Sequence, residues 1–502
     1  MTHMDRYIIP ADGAQAAPGV GRLDVSAVNR KENRVLYAGH QKIYPKLAHG
    51  RFRAIKWVVM AITLGIYYAL PWLRWDRGPD LPDQAVLLDM ASNRYFFFFL
   101  EIWPQEFYYI TGLLVLGALS LFLVTSVAGR VWCGYSCPQT VWTDLMILVE
   151  RFWQGDRNAR MQLDRRPWGA AKIFKKTMTH ACWLLIGMLT GGAFVFYFRD
   201  APTLAQELLT GAAPTIAYLF LGIFTMTTYV LGGIAREQVC IYMCPWPRIQ
   251  GAMVDHDTLL VGYKDYRGEP RGPHKKDQTW DNRGDCIDCR ACVAVCPMGI
   301  DIRDGSQLEC IQCALCIDAC NDIMHKVGRP ANLIAYDTIA NQGAAARGGT
   351  APLQIIRART LLYAGLIAVV SVIMLVVLLN RTTLEINVLH DRNPPYVMLS
   401  DGSVRNGYTI KILNKLHQPR EFTLATRNLP GAQISIVGLE PGAKIRVTTD
   451  DVRELRAFVT LSKADAARGE PGNVPFFLVV KDVGSGFETS RGVNFQKPAR
   501  RP

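Results

Sequence analysis

Several features that mark common soluble protein classes are missing from this chain of 502 residues. It has no Walker-type phosphate loop, and no Gly-rich turn follows a predicted strand and opens a helix, which excludes the usual nucleotide-binding folds. No basic patch interleaved with aromatic residues occurs in a soluble segment, so the net charge of +13 does not indicate nucleic-acid binding. The first apolar stretch begins only at Trp57 and no small-residue cleavage pattern follows it, so we expect no cleavable signal peptide.

Lys, Arg, Asp and Glu are also absent from five long stretches of the chain. Each is near the roughly 20 residues that a membrane-crossing helix needs. We therefore predict five transmembrane helices, at residues 57–73, 107–128, 177–198, 208–235 and 360–380.

The distribution of Lys and Arg predicts the orientation of these helices. Nine such residues lie between the second and third stretches, whereas Arg199 alone lies between the third and fourth. Positive residues favour the cytoplasmic side, so the former segment and the N-terminus, with Arg51, Arg53 and Lys56, are expected there. Five crossings then place the region after Asn380 on the outer side of the membrane.

Cysteine usage agrees with this topology. Of the thirteen cysteines, twelve lie in segments that the charge rule assigns to the cytoplasm, and none lies after Cys320. Reduced thiols persist in the cytosol, whereas an oxidising exterior favours disulfides.

The composition divides the chain into five predicted parts. The predicted fold class is a membrane α-helical protein with an inserted two-cluster ferredoxin-like α+β module and a C-terminal Ig-like β-sandwich. The sandwich is predicted because short alternating runs are separated by turn residues, as at Tyr408–Leu413, Gln433–Val437 and Val474–Val480. The parts are a cytoplasmic arm (1–56), a four-helix transmembrane region (57–235), a cytoplasmic region with the ferredoxin motifs (236–359), a fifth transmembrane helix (360–380) and an exported Ig-like domain (381–502).

Eight cysteines between Cys286 and Cys320 form two successive Cys-x2-Cys-x2-Cys-x3-Cys motifs. This spacing is typical of two-cluster ferredoxins, in which the fourth cysteine of each motif ligates the other cluster. We therefore predict two [4Fe-4S] clusters, one held by Cys286, Cys289, Cys292 and Cys320, and the other by Cys310, Cys313, Cys316 and Cys296. Zinc is the alternative, but zinc sites use four ligands in two short pairs with a longer spacer, which fits this doubled pattern poorly. The second motif ends in Asn321 where the first has Pro297.

A second cysteine pattern occurs twice. Cys133-Gly-Tyr-Ser-Cys137-Pro and Cys240-Ile-Tyr-Met-Cys244-Pro follow the second and fourth apolar stretches at the same distance. Cysteines four apart share one face of a helix, and the proline marks a break there. Packing of the two spans would bring up to four thiols together at the cytoplasmic edge of the membrane.

The occupant of such a site is open on sequence grounds. Soft thiolates select Cu(I) or iron-sulfur centres over hard cations. The alternative is that each cysteine is a small buried hydrophobic residue, which is the usual role of a free cysteine. The repetition of Tyr and Pro at fixed offsets favours a metal or redox role.

The third span contains two further residues of types that can bind a metal or haem. Cys182 is interpreted as packing. His180 is an ionisable residue within a span, which makes it a candidate haem or copper ligand, although its place near the cytoplasmic end also allows it to reach the membrane surface. Without a nucleotide site, electrons are expected from a partner protein, from quinol or from a small soluble donor.

Taken together, these parts resemble one known family. The spans, the paired Cys-x3-Cys-Pro motifs, the ferredoxin insertion and the sandwich, with the stretches at residues 44–53 and 328–337, are similar to the FixG/CcoG (RdxA/RdxB) family of accessory proteins for the cbb-type cytochrome c oxidase. The resemblance implies reduction of Cu(II) to Cu(I) for oxidase assembly. It also implies a cupric reductase whose partners are oxidase assembly factors, copper transporters or copper chaperones. Such a protein lies in the bacterial inner membrane, with the Ig-like domain in the periplasm.

Within that reading, copper is expected at Cys133, Cys137, Cys240 and Cys244, which would be the catalytic residues. Two other functions stay open. One is a quinol-linked polyferredoxin that feeds electrons to a periplasmic reductase, and the other is a non-enzymatic assembly scaffold that senses redox state.

Overall fold

The protein is described by a computed structural model that covers residues 21–29, 41–78, 81–274, 279–381, 384–415, 418–448, 451–468 and 472–498. The chain forms two compact units, one with residues up to 75 and 82–374, the other with residues 76–81 and 375–502. Much of the predicted N-terminal arm therefore lies outside the described residues.

Fifteen helices occur in the described part of the chain, and two stretches, Tyr229–Ala235 and Val239–Met243, are wound as π-helix. The helices are α1 Arg51–Ala69, α2 Tyr108–Ala128, α3 Val131–Tyr135, α4 Pro138–Gln154, α5 Arg157–Arg165, α6 Ala170–Thr190, α7 Ala201–Thr210, α8 Thr215–Thr228, α9 Trp246–Met253, α10 Asp265–Gly268, α11 Ala291–Ala294, α12 Leu315–Lys326, α13 Ile339–Ala345, α14 Ala358–Leu379 and α15 Lys463–Ala467.

Five helical segments of the described residues are long and apolar enough to cross a membrane, which confirms the predicted number. They are Arg51–Trp72, Tyr108–Ala128, Ala170–Tyr197, Thr215–Ala235 and Ala358–Leu379. The chain is thus a multi-pass membrane protein.

The fourth span is shorter than the prediction of 208–235. Residues 208–210 close the separate helix α7, which ends at Gly211 with a left-handed φ of 78°. Pro214 then precedes the first turn of α8. A glycine in that conformation stops a helix, so the apolar run is cut although its composition is continuous.

The aromatic segment between the first two spans folds as an antiparallel sheet of three strands. Its composition also suits a position at the membrane interface, which stays a prediction. The three strands are β1 Val86–Asp89, β2 Arg94–Phe97 and β3 Leu100–Ile102. The Asp89 carboxylate accepts hydrogen bonds from the Ala91 and Ser92 backbone N–H groups and so shapes the first turn.

The connections between spans gather at two ends of the first unit. At one end, Gln84 after the first span donates to the Phe196 carbonyl (2.8 Å) and accepts from the Ala201 N–H (2.9 Å) after the third. At the other end, Asp318 of α12 accepts from the Arg53 N–H at the start of α1 (2.8 Å). The arm and the ferredoxin segment thus share one end, as the charge pattern requires. The side of the membrane on which this end lies stays a prediction.

A buried ion cluster fixes the helices at that end. Glu150 of α4 is 1% exposed and pairs with Arg160 at 2.9 Å and with Arg236 at 2.8 Å. Burial alone would raise the pKa of Glu150, but the positive charges of Arg236, Lys42 and Arg160 hold it at about 2. The Glu150 carboxylate is therefore ionised at neutral pH and ties α4 to α5 and to the segment after the fourth span.

We expect Glu150→Gln to lower stability by about 3–5 kcal/mol, because it leaves two buried guanidinium groups without their counter-charge. A thermal unfolding series in detergent measures this loss. Because the folded pKa lies below the usual 4.5, the contribution is full at pH 7 and is lost as the pH falls from about 4.5 towards 2. Glu488→Gln is the control, since Glu488 is 49% exposed in its pair with Arg427; an equal loss in both variants would contradict the prediction.

A small antiparallel pair supports the ferredoxin loops. Strand β4 (Leu260–Tyr263) pairs with β5 (Ile334–Asp337), with Val261 opposite Tyr336. The sides of this pair contact α12 and the cysteine loops through a core that includes Leu333 and Ile334.

The second unit is the β-sandwich that the sequence predicts. One sheet has the order β10-β12-β8-β6, with β7 also paired to β8, and the other has the order β11-β9-β13-β14. Alternate residues of β8, including Tyr408, Ile410 and Ile412, are fully buried and face Phe476 and Leu478 of β13 in one core. The strands are β6 Leu384–His390, β7 Val397–Met398, β8 Val404–Asn414, β9 Arg420–Arg427, β10 Gln433–Ile436, β11 Ile445–Val447, β12 Asp451–Leu461, β13 Gly472–Asp482 and β14 Glu488–Lys497.

Candidate functional site

The two ferredoxin motifs fold alike. The residues on either side of the second cysteine of each motif have positive φ, at Asp288 (52°) and Arg290 (58°) in the first motif and at Gln312 (56°) and Ala314 (61°) in the second. Helices α11 and α12 begin immediately after these turns. The left-handed residues curl each loop around a space, which is the local requirement for holding a cluster from one side.

Two cavities collect the eight cysteines in the combination that crossed ligation predicts. The first is lined by Cys286, Cys289, Cys292 and Cys320. The second is lined by Cys296, Cys310, Cys313 and Cys316, with Cys292 also at its edge. The fourth cysteine of each motif thus lies with the first three of the other.

The chemistry of these thiols fits an iron-sulfur cluster. Burial and the nearby Cys313 thiol together raise the pKa of Cys296 to about 12. Burial and the Cys289 and Cys286 thiols together raise the pKa of Cys320 to about 12. Such thiols become thiolates only when a cationic centre compensates their charge, which an iron-sulfur cluster does.

A single metal ion fits less well. In the described part of the chain, no three His, Cys, Asp or Glu side chains are close enough to hold one ion. The ligands of one zinc ion lie about 2.3 Å from the metal, so they must be close to each other, whereas a cluster holds its thiolates at separate iron atoms.

The two Cys-x3-Cys-Pro motifs also share their backbone conformation. The residue four positions before the first cysteine has an unusual positive φ in both, at Gly129 (57°) and Arg236 (45°). For an arginine this conformation is costly. It is held because the Arg236 guanidinium donates to the Gly233 carbonyl at 2.6 Å and pairs with Glu150.

The two cysteines of each pair do not share one helix face, although the spacing of four residues predicted that they would. Helix α3 contains Cys133 and ends at Tyr135, so Cys137 is in extended conformation before Pro138 opens α4. Cys244 is likewise extended after the π-helical segment that contains Cys240. The prolines mark the break as predicted, but the second cysteine of each pair lies beyond the helix.

Tertiary packing brings the four thiols together. Burial, together with the nearby thiols of Cys137, Cys133 and Cys244, raises the pKa of Cys240 to about 12. Burial also raises the pKa of Cys133, to which Cys137 and Cys244 contribute. We call Cys133, Cys137, Cys240 and Cys244 the four-thiol group. Because reactive thiols in redox motifs have lowered pKa values, the group is not suited to act as a free thiolate. No three of its thiols are close enough to hold one ion in the described part of the chain, so the group suits a cluster, or an ion held by two of its thiols.

The four-thiol group touches the second ferredoxin cavity. Cys133 and Cys240 pack into the same apolar cluster as Cys313 and Ile311. A Cβ on Gly134 would lie 2.7 Å from the Ile311 carbonyl oxygen and 2.9 Å from Cys313 Cα. Only glycine permits this approach of α3 to the cysteine loop, so the two sites are in van der Waals contact.

Sequence reasoning missed the charged group between them. Arg130 is 4% exposed, and its backbone N–H donates to the Gln312 side chain at 3.0 Å. Its guanidinium donates to Gln250 and to the Leu308 carbonyl. Burial raises the pKa of both Cys133 and Cys310, and the charge of Arg130 offsets part of that rise. The available signal was the arginine that precedes the first cysteine in both repeats, Arg130 and Arg236.

We expect Gly134→Ala to slow electron transfer between these sites while the ferredoxin clusters remain. The added methyl group must push α3 from the Ile311 loop, at a cost of about 1–3 kcal/mol for such overpacking. The rate of metal reduction by pre-reduced protein, together with the cluster signals in electron paramagnetic resonance, measures the effect. Gly117→Ala is the control because no atom lies within 4 Å of a Cβ there; wild-type rates in both variants would contradict this reading.

The two candidates in the third span stand apart from these thiols. The Cys182 sulfur accepts from the Trp153 indole N–H at 3.4 Å. His180 Nδ1 is hydrogen-bonded to the Tyr229 hydroxyl at 2.9 Å, and its ring packs on Trp183 at 5.0 Å. No cysteine lines the cavity beside His180. Among the residues that the structure describes, no second thiol or imidazole lines this cavity to support a haem or copper ligand.

Comparisons with known proteins agree with the sites and with the sandwich. Residues 235–339 match the 4Fe-4S dicluster domain family, and residues 110–154 match a 4Fe-4S binding domain family. Residues 374–498 match a family described as the IG-like fold at the C-terminal of FixG. The match at 110–154 includes Cys133 and Cys137. It relates this cysteine pair to 4Fe-4S binding domains, which the spacing of the two cysteines alone did not indicate.

Relatives match nearly the whole chain. The nitrogen fixation protein FixG of Rhizobium meliloti is 52% identical over 95% of this chain and 97% of its own. Protein RdxB of Cereibacter sphaeroides is 50% identical over 90% of this chain and 95% of its own. A solved FixG-related protein from Vibrio parahaemolyticus is 23% identical and covers 23% of this chain and 97% of its own, with a TM-score of 0.20.

These identities extend across the spans, the cysteine motifs and the sandwich, and the dicluster match assigns iron-sulfur electron transfer to the ferredoxin region. The chain belongs to the FixG/RdxA/RdxB family of multi-pass membrane iron-sulfur proteins.

Proposed function

We propose that this iron-sulfur protein is a cupric reductase that delivers Cu(I) for assembly of a cbb-type cytochrome c oxidase. In this proposal the eight ferredoxin cysteines hold two [4Fe-4S] clusters, and the four-thiol group receives the copper substrate. The net step is Cu(II) plus one electron to Cu(I). When bound, iron-sulfur clusters supply electrons one at a time, as this reduction requires.

The exposure of Cys244 is the observation that carries the copper assignment. Of the thirteen cysteines, all of which the structure describes, Cys244 is the only exposed one. The adjacent Met243 is 63% exposed. Thiolate and thioether sulfurs are the soft ligands that favour Cu(I) over Cu(II). A substrate ion can therefore reach this edge of the group from the surface, unlike the enclosed ferredoxin cavities.

The opposite edge of the four-thiol group faces the electron source. Cys133 donates its S–H hydrogen bond to Gln250 at 3.3 Å, and Thr140 donates to the Cys133 carbonyl at 2.6 Å, so this thiol is fixed in place. Arg130 lies between Cys133 and the Cys310 loop. Its positive charge favours the thiolate forms that metal binding needs, and binding then releases the thiol protons.

A second occupant has specific support. The 4Fe-4S binding domain match at residues 110–154 contains Cys133 and Cys137. The four-thiol group would then hold a third cluster, and copper would be reduced at another point or not at all. The iron content of the protein distinguishes these assignments, because a third cluster adds four iron atoms.

The partners follow from the proposed product. Cu(I) released at the predicted cytoplasmic edge would pass to a copper transporter or a copper chaperone. The Ig-like domain would dock another oxidase assembly factor in the periplasm. The rival functions are a quinol-linked polyferredoxin for a periplasmic reductase and a redox-sensing scaffold. A scaffold would not turn over copper, and a polyferredoxin would not require Cys244.

Measurement of Cu(II) reduction by the isolated protein tests the proposal. The protein is reduced with dithionite under argon, freed of dithionite by gel filtration and mixed with Cu(II) and a Cu(I)-specific chromophore. We expect about one Cu(I) per reduced cluster, formed as the cluster absorbance recovers. If fully reduced protein forms no Cu(I), the proposed function is refuted.

A further inference from the structure

A cavity of about 240 Å³ lies beside His180 where the third and fourth spans meet the arm. Its walls include His180 and Trp183 of α6, Ile234 of the π-helical segment, and Lys42 and Glu150. None of these residues has a role in the copper chemistry proposed above. The cavity is therefore a candidate site for another ligand.

The wall that lies within the spans suits a flat ring with polar edges. The imidazole of His180 and the indole of Trp183 are nearly perpendicular (80°), and the Tyr229 hydroxyl is bonded to His180 Nδ1. Ionisable residues in membrane spans are rare and mark functional pathways. A pocket of aromatic walls with few converging polar groups is the usual form of a small-molecule site.

The other wall is charged. Lys42 pairs with Glu150 at 3.4 Å, and Arg236 pairs with the same carboxylate. Ile234 in the lining is 51% exposed on the apolar surface of the fourth span. The cavity thus combines a polar inner rim with a residue on the face that lipid covers, so its ligand is expected to be soluble in the membrane and to carry a polar head.

The cavity also adjoins the thiol sites. Arg236 and Glu237 line it and also line a second cavity that contains Cys240 and Met298. Arg236 precedes Cys240 by only four residues. An electron that leaves this cavity therefore has a short route to the four-thiol group and to the ferredoxin cavity that contacts it.

We propose that the cavity beside His180 binds the head group of a membrane quinol and is the point where electrons enter the protein. This inference rests on the electron-transfer role of the proposed function and names its donor. Oxidation of one quinol gives one quinone, two protons and two electrons. The electrons leave singly to the iron-sulfur clusters of this chain, and two Cu(II) ions are the final acceptors.

His180 is placed to take the protons. When its Nδ1–H donates to the Tyr229 oxygen, Nε2 is free to accept a proton from a quinol hydroxyl. Each proton then passes to water at the rim that Lys42 and Lys176 form. Tyr229 is a positioning residue, because it fixes the ring and its tautomer without contacting the reacting oxygen.

The proposal is tested in the full-length protein by adding decylubiquinol in the absence of oxygen and copper. The rate at which the clusters are reduced is measured from their absorbance. We expect His180→Ala to slow this reduction roughly a hundredfold, the usual contribution of a general base. We expect Tyr229→Phe to slow it about tenfold, the loss of one hydrogen bond in the site. Tyr218→Phe is the matched control, since Tyr218 lies on α8 and is 38% exposed.

Photolabelling with an azido-ubiquinone provides a readout that does not depend on turnover. We expect label in residues 170–190 or 229–237, and its loss when excess decylubiquinone is present. Dithionite should reduce the clusters fully in every variant, which shows that the variants are folded and loaded. The failure of decylubiquinol to reduce wild-type clusters that dithionite reduces, label elsewhere, or wild-type rates in both variants would each overturn the quinol site. These outcomes leave copper reduction by dithionite-reduced protein as a separate result.

Discussion

Replacing both Cys240 and Cys244 with alanine will abolish copper reduction while the two ferredoxin clusters remain. The change removes half of the four-thiol group, including its one exposed member, Cys244. Removal of groups that merely orient metal ligands costs 10- to 100-fold, so loss of two ligands should reduce the rate by roughly a hundredfold or more. The measurement is Cu(I) formation by dithionite-reduced, desalted protein.

The control for this variant is Cys182→Ala. This change removes a thiol of the same membrane region that lies outside the four-thiol group. The Cys182 thiol accepts a hydrogen bond from Trp153. Wild-type copper reduction by the Cys240/Cys244 double variant would refute the copper assignment. Loss of four iron atoms from that variant would instead assign a third cluster to these thiols, in agreement with the 4Fe-4S match at residues 110–154.

Paired substitutions will show the crossed ligation of the ferredoxin clusters. Cys296 and Cys313 line the same cavity, so the double alanine variant should lose one cluster, four iron atoms, as either single variant does. Cys296 and Cys289 line different cavities, so their double variant should lose both clusters, eight iron atoms. Iron analysis and the spectrum of the reduced protein measure these losses.

The opposite pattern would establish ligation within each motif. In that case Cys296 and Cys289 would share a cluster, and their double variant would lose only four iron atoms. The variants serve as controls for one another, because each replaces buried or half-buried cysteines with alanine. It does not depend on copper and so tests the cluster ligands alone.

The local patterns of the chain were readable because they report on nearby residues. The x2-x2-x3 spacing places three thiols around one loop, and the left-handed turns at Asp288 and Gln312 follow from that wrapping. Apolar length gave the five spans, and alternation along Tyr408–Leu413 gave a buried sandwich strand. The start of the fourth span was misplaced because one glycine, Gly211, ends a helix within an apolar run.

The sequence by itself determined the spans, the ferredoxin motifs, the sandwich and the presence of two repeated cysteine pairs, since each depends on interactions between residues close in the chain. Only the tertiary structure decided that the pairs form one four-thiol group, that Gly134 seats it against the Cys313 loop, and that His180 faces Tyr229 beside a cavity. These contacts join residues 49 to 179 positions apart, and no local pattern specifies the packing of helices that brings them together.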